Sequence, residues 1–341
     1  MPKKTGVLLL NVGTPSNPTV SGVRQYLREF LSDPRVLDMP YYQRMLLLYG
    51  LILPFRTRRS AKAYQKIWDE ETGSPLLHHS RNLTLGLQAE LGDEHVVRLG
   101  MGCGKPSIPV ACEALLNAPC DKIIIVPLFA QYASSTVGSC VEKALKHLSR
   151  EVNIPPLEVI APFYQHPAYI EALTTSIRDN LSSFGPCHLV LSYHGLPVRQ
   201  VLRSEPKRVL CDQRQACPPI QEDNHYCYRA QCYATSNLLA KRLALPSSEM
   251  TIAFQSQMGR APWIKPDLLS TLKELKEKGI KKIAIAMPSF VTDCLETLEE
   301  IGIRAKNTWQ EMGGEEFLMI PCLNDQPIWV KALSGIVKNI S

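Results

Sequence analysis

Short apolar runs alternate along the chain with segments of helical period. Val7–Asn11, Val96–Met101, Lys122–Val126, Leu157–Ala161, His188–Ser192, Met250–Phe254, Lys282–Ala286 and Phe317–Ile320 read as strands. Val20–Leu31, Asn82–Leu91, Pro167–Leu181, Thr235–Leu243 and Pro266–Lys278 read as helices, the first capped by Thr19 or Ser21 and the last ended by Gly279. Strands separated by helices predict a parallel α/β fold.

The pattern echoes itself. Lys105-Pro106, a helix, Lys122-Ile123-x-Ile125 and Pro127-x-Phe129 return as Lys265-Pro266, a helix, Lys282-Ile283-x-Ile285 and Pro288-x-Phe290. The offset is 160 residues, and 161 after the strand, which suggests duplication of a βαβ unit. Ligands in such sheets sit beyond the carboxyl ends of the strands. That rule selects Asn11–Pro15, Met101–Pro106, Pro127–Gly138, Ser192–Pro197, Phe254–Trp263 and Pro288–Glu300 for inspection. None holds a Walker A loop or a dinucleotide fingerprint, because Gly100-x-Gly102-x-Gly104 lacks the third glycine and the acidic residue.

Composition narrows the class. With 341 residues, 45% hydrophobic and 21% charged, the chain is globular and long enough for two domains. A net charge of +6 suits an acidic small molecule or an anionic surface. No basic stripe interleaved with aromatics argues for nucleic acid. The apolar stretch after Lys4 is a strand and not a leader core, and the greasy run Met45–Leu53 is too short to span a bilayer. A cytoplasmic protein is expected, whose cysteines, eleven in all, are reduced thiols or metal ligands.

Several side chains could carry chemistry. His194 follows the strand His188–Ser192 and precedes a Gly-Leu-Pro turn, which would aim an imidazole suited to proton transfer or metal ligation into the crevice. It could equally be a strand-end histidine satisfied by a hydrogen bond. Glu296 and Glu300 lie one turn apart on a helix opening near Asp293. Glu296 could complete a capping box with Asp293, and Glu299 and Glu300 could form a solvated face. Alternatively the carboxylates form an inward ladder that takes protons or hands on a labile Fe²⁺. The hydroxyl-rich loop Gln131–Gly138 could bind carboxylates or cap the helix Val137–His147. Tyr41–Lys66 joins an apolar run to Arg56, Arg58, Arg59, Lys62 and Lys66, as either a membrane-surface or cavity lip or an ordinary buried helix with a basic end. Cys211, Cys217, Cys227 and Cys232 cluster as C-x5-C-x9-C-x4-C in a polar, proline-broken segment, a donor set for an iron–sulfur cluster or structural zinc.

Six motifs together resemble ferrochelatase: Leu10–Pro15, Phe30–Val36, Gly73–Leu76, Ser192-Tyr193-His194-Gly195-Leu196-Pro197, Phe254–Trp263 and Asp293-Cys294-Leu295-Glu296-Thr297-Leu298-Glu299-Glu300. The likeness runs from about Gly6 to Pro327, in order. It implies two Rossmann-like, chelatase-like halves, residues 1–162 and 163–341, with an active-site cleft between them. The porphyrin-entry lip would lie at about 41–66 and the four-cysteine insert at about 205–233. It implies insertion of Fe²⁺ into protoporphyrin IX, with protohaem formed and two protons released. His194 would be proton acceptor or part of the metal site, Glu296 its partner, and Glu300 the continuation of an acidic path. Val12, Tyr132, Ser134, Ser135 and Thr136 would bind porphyrin. A [2Fe–2S] cluster is assigned to Cys211, Cys217, Cys227 and Cys232, with Zn²⁺ as the alternative. Many relatives have His in place of Cys294, and some have Met in place of Val12. A coproporphyrin or cobalt chelatase of the same fold, or a non-catalytic haem carrier or iron–sulfur sensor, are the competing readings. Peripheral contact with the inner membrane through the lip, and a monomer or homodimer, complete the expectations.

Overall fold

The computed structural model describes residues 4–204, 217–257, 259 and 261–340. One compact unit comprises Met1–Phe129, Ala133–Ala161 and Asn324–Ser341, the other Ala130–Tyr132 and Pro162–Leu323. The segment from Asn324 onward, which a cut near residue 162 assigns to the second half, thus packs with the first.

In the first unit the parallel sheet runs β2-β1-β3-β4, with β1 at Lys4–Gly13, β2 at His95–Cys103, β3 at Cys120–Pro127 and β4 at Leu157–Val159. In the second it runs β6-β5-β7-β8, with β5 at His188–His194, β6 at Met250–Gln255, β7 at Lys282–Ala286 and β8 at Glu316–Met319. Every strand pairs in parallel with its neighbours. Central strands covered by helices on both faces must be apolar throughout. Val7 to Leu10 and Val190 to Leu191 are accordingly fully buried. Below the sheets, Leu8, Ile125, Cys112 and Leu115 form one core, and Val190, Ile285, Leu272 and Trp309 another.

The sequence echo is a structural repeat. Both units share one strand order, and both Lys–Pro peptides, 105–106 and 265–266, are cis. Each following proline carbonyl accepts from the end of its strand, Met101 N–H at 2.7 Å and Phe254 N–H at 2.8 Å. The edge is closed alike too, by Ile160 N–H to Ile125 C=O and Ile320 N–H to Ile285 C=O, both 2.9 Å. Gly13 ends β1 at φ +104°, where any Cβ would meet the Cys103 carbonyl oxygen at 1.8 Å.

Helices extend beyond the predicted bounds where polar residues are buried. The helix expected at Thr235–Leu243 runs Tyr228–Leu243, because Tyr228, Arg229, Gln231, Thr235 and Ser236 all face inward and erase the amphipathic period. The helix expected from Asn82 begins at Pro75, with proline in its first turn. Thr19 is the cap of the first helix, accepting from Gly22 N–H at 3.2 Å.

The segment Tyr41–Lys66 is not an ordinary buried helix. It forms helices Tyr41–Leu47 and Leu53–Ile67 joined by a π-helical turn at Leu48–Ile52. Leu48, Ile52 and Leu53 pack with Leu31, while Tyr42, Leu46 and Phe55 are 84%, 76% and 73% exposed. Apolar side chains therefore occupy both faces. No helix among the described residues is long and apolar enough to cross a membrane.

Candidate active site

The carboxyl edge of the second sheet gathers the expected chemistry. His194 is the last residue of β5, in register with Gln255 at the end of β6. Its backbone N–H is held by Ser289 Oγ (3.1 Å), just past β7, and its C=O accepts from Tyr228 Oη (2.9 Å). Burial pushes the Tyr228 phenol well above its ordinary range, so the hydroxyl stays protonated and can donate. The ring atom His194 Nδ1 lies 2.6 Å from Gly195 C=O. A carbonyl only accepts, so Nδ1 carries a hydrogen, and in the neutral ring the lone pair is then on Nε2. The imidazole is thus satisfied at Nδ1, as the strand-end reading expects.

Glu296 sits in the four-residue helix Leu295–Leu298. The expected Asp293–Glu296 capping box is not what forms. Cys294 is the N-cap, its Sγ accepting from Thr297 N–H, and Thr297 Oγ1 accepts from Cys294 N–H at 2.9 Å. Asp293 instead accepts from Thr297 Oγ1 at 2.8 Å. A threonine hydroxyl, both donor and acceptor, performs the reach-back that a longer glutamate could have made. The Glu296 side chain meets the capping Cys294 thiol and, with burial, helps push that thiol well above its ordinary range.

Of the two readings of Glu299 and Glu300, the solvated face is not what forms. The Glu299 side chain is only 5% exposed and pairs with Arg304 Nε at 2.7 Å. Glu300 is clasped by Ser256, from N–H at 2.8 Å and from Oγ at 2.6 Å. Ser256 reaches both oxygens because its backbone is left-handed, at φ +66°, an uncommon conformation for a non-glycine residue. Glu300 opens a π-helical turn to Ala305, in which Arg304 N–H bonds Glu299 C=O. Such turns recur at functional sites.

Of the other candidates, Tyr132 belongs to this unit, its N–H bonded to Gln231 Oε1 at 2.7 Å and its ring edge-on to Tyr226. Val12, Ser134, Ser135 and Thr136 lie in the first unit. Val12 N–H bonds Asn11 Oδ1, and Ser134 Oγ accepts from Arg35 Nη1, both at 2.8 Å. These hydroxyls do not cap the next helix, Ser139–Leu148, which is preceded by a second π-helical turn, Ser134–Gly138, and has no side-chain cap.

Cys211 lies outside the described residues. Cys217, Cys227 and Cys232 are buried, and Arg229 Nη1 donates to Cys217 Sγ at 2.9 Å. Burial drives the Cys232 thiol well upward, and Cys227 and Cys217 add to the rise as near neighbours. Among the described residues no group of three His, Cys, Asp or Glu is placed to hold a metal ion. Buried sulfurs beside a buried guanidinium suit an anionic iron–sulfur centre in donor chemistry. The three described thiols do not complete one.

Sequence reasoning assigned no role to Gln255, Ser256, Ser289 or Tyr228. The first three follow strand ends, which was a usable signal. Tyr228 is reached only through tertiary packing.

Two parallel four-stranded sheets flanked by helices make an α/β fold shared with solved chelatase structures. SirB of Bacillus subtilis with Fe³⁺ superposes at TM-score 0.56 and 13% identity, over 98% of this chain and 95% of that one. The sirohydrochlorin chelatase SirB of Bacillus subtilis subspecies spizizenii in complex with cobalt gives 0.53 and 12%, over 98% and 94%. The ferrochelatase family model matches residues 4–340. A ferrochelatase of Legionella pneumophila is 51% identical over 338 residues, 98% of each chain. One of Coxiella burnetii is 48% identical over 335 residues, 98% of this chain and 93% of that one. The chain belongs to the ferrochelatase family, and its reaction is lyase chemistry that inserts ferrous iron into a porphyrin.

Replacing Ser256 with Ala removes one charge-assisted hydrogen bond from Glu300, worth about 1.5–3 kcal/mol. A lower midpoint in chemical denaturation, with the m-value unchanged, is the expected result.

Proposed function

We infer that the porphyrin is protoporphyrin IX and that His194 and Glu296 form the reacting pair. The observation that carries this reading is the hydrogen bond from His194 Nδ1 to Gly195 C=O, which in the neutral ring puts the lone pair on Nε2. Metallation replaces two pyrrole N–H protons with one Fe²⁺. Nε2 of His194 accepts one of the two pyrrole protons and the Glu296 carboxylate the other; if Nε2 instead binds the arriving iron, both protons leave through the Glu296 and Glu300 carboxylates, and in either role Nε2 must enter unprotonated. Glu296 supplies the facing carboxylate. Glu300 continues the acidic path, held by the amide and hydroxyl donors of Ser256 with Arg304 Nη2 at 3.8 Å. Val12, Tyr132, Ser134, Ser135 and Thr136 are assigned to porphyrin binding, Val12 to the apolar macrocycle and the hydroxyls of the other four suited to propionates.

In a ferrous-iron and porphyrin assay, His194→Ala should lower kcat by about 10²–10⁴-fold, the usual worth of a positioned acid–base group. Glu296→Gln should also lower it. Porphyrin binding by His194→Ala, followed by fluorescence, should persist. Full turnover by His194→Ala sinks the assignment, and a preference for coproporphyrin or cobalt in the same panel favours the competing substrates.

Cys211, Cys217, Cys227 and Cys232 are assigned to a [2Fe–2S] cluster, with Zn²⁺ the alternative. Three buried neighbouring thiols and the Arg229 contact support an anionic sulfur centre in a structural or sensing role, since chelation transfers no electrons. Anaerobically purified protein should absorb at about 400–600 nm in proportion to its iron and acid-labile sulfide. Colourless protein with one zinc overturns the cluster.

The exposed Tyr42, Leu46 and Phe55, with Arg58, Arg59 and Lys62 beyond them, are assigned to peripheral contact with the cytoplasmic face of the inner membrane. Sedimentation with anionic vesicles should weaken in Leu46→Glu/Phe55→Glu, and unchanged sedimentation refutes the assignment.

A further inference from the structure

Gln255 is 2% exposed and joins the two elements that carry the reacting pair. Its backbone is the register partner of His194, and its C=O accepts from Gly195 N–H at 2.8 Å. Its side chain points the other way along the same edge. Nε2 donates to the Glu296 carbonyl at 2.8 Å, and Oε1 accepts from Ser192 Oγ at 2.7 Å. The Glu296 carbonyl can only accept, so the amide has one orientation here. Ser192, two residues before His194, is itself fully buried.

The helix bearing Glu296 is the first turn of a helical run that continues through the π-helical turn Glu300–Ala305 into Lys306–Glu311. Glu296 lies at its amino end, where contacts from neighbouring elements add to the helix's own bonds. The Cys294–Thr297–Asp293 bonds pin its amino end, and the Gln255 amide pins the Glu296 peptide to β5. Glutamine alone among the side chains of this length offers a donor and an acceptor at once without charge.

We propose that Gln255 is a positioning residue for iron insertion, a strut that fixes the Glu296 helix relative to His194. The proposal rests on the reading of His194 and Glu296 as the reacting pair. Gln255 acts through both without touching the porphyrin, so its loss should fall on kcat and spare KM for porphyrin.

The test uses full-length protein, ferrous iron and protoporphyrin, with two variants. Gln255→Met keeps the volume and removes both hydrogen bonds. It should lower kcat by about 10- to 100-fold, as small misplacements do, with porphyrin KM little changed. Gln255→Glu keeps the shape but sets a carboxylate against the Glu296 carbonyl. Only its protonated form restores one donor and one acceptor. Its kcat, as a ratio to wild type at each pH, should therefore rise as pH falls from about 8 to 6, because a carboxyl buried there titrates high. A purely structural glutamine would lower the melting temperature without moving this ratio. A folded Gln255→Met with wild-type kcat, or a Gln255→Glu ratio flat with pH, overturns the proposal. Should Gln255→Met not fold, the near-isosteric Gln255→Glu series decides. Wild-type protein unable to insert iron would instead overturn the reading of the site itself, a result separate from active wild type with unaffected variants.

Discussion

The close approach of the His194–Gly195 turn to the end of β6 is the constraint on which the site depends. A Cβ at Gly195 would lie 2.7 Å from the Gln255 carbonyl oxygen, so only glycine lets its N–H reach that carbonyl. With the turn drawn in, the Gly195 carbonyl lies beside His194 Nδ1 and fixes the tautomer. The same contact fixes the Gln255 backbone and so the direction from which its amide meets Glu296. One missing methyl group thereby sets both the basic nitrogen and the frame for the carboxylate.

The fold repeats itself, and the chemistry does not. Both units use one strand order, one cis Lys–Pro connection and one edge closure, yet imidazole and carboxylates gather at the edge of the second sheet. Corresponding positions in the first unit carry Asn11 to Gly13 and the hydroxyl-bearing turn at Ser134–Gly138. Scaffold geometry is set by backbone bonds indifferent to side-chain identity, so either copy could keep its frame while its strand ends changed.

Much of this was legible from residue pattern. All eight strands were, because apolar runs of that length with turn residues beyond them have few other solutions. His194, Glu296 and Glu300 were singled out by strand-end placement and by the family motifs. Their surroundings were not legible. The reach-back by Thr297 rather than Glu296, the burial of Glu299 and the clasp by Ser256 depend on a left-handed serine and π-helical turns, which local propensity does not report. The inward polar face of Tyr228–Leu243 was missed because its partners lie far away in sequence, so its polarity reads as exposure. The apolar row of the Tyr41–Lys66 segment was visible, and which side met solvent was decided by packing on Leu31.

The wide turn beginning at Glu300 has an electrostatic outcome. In a regular α-helix each residue rotates the chain by about 100°, so Arg304 would face Glu300, four positions back, and point well away from Glu299. The surplus residue in the turn swings the guanidinium onto Glu299, five positions back, and leaves it 3.8 Å from Glu300. The backbone irregularity thus decides how one cation is shared between two adjacent carboxylates. The one shut away from water receives the close contact, and its neighbour, clasped by Ser256, receives the distant one.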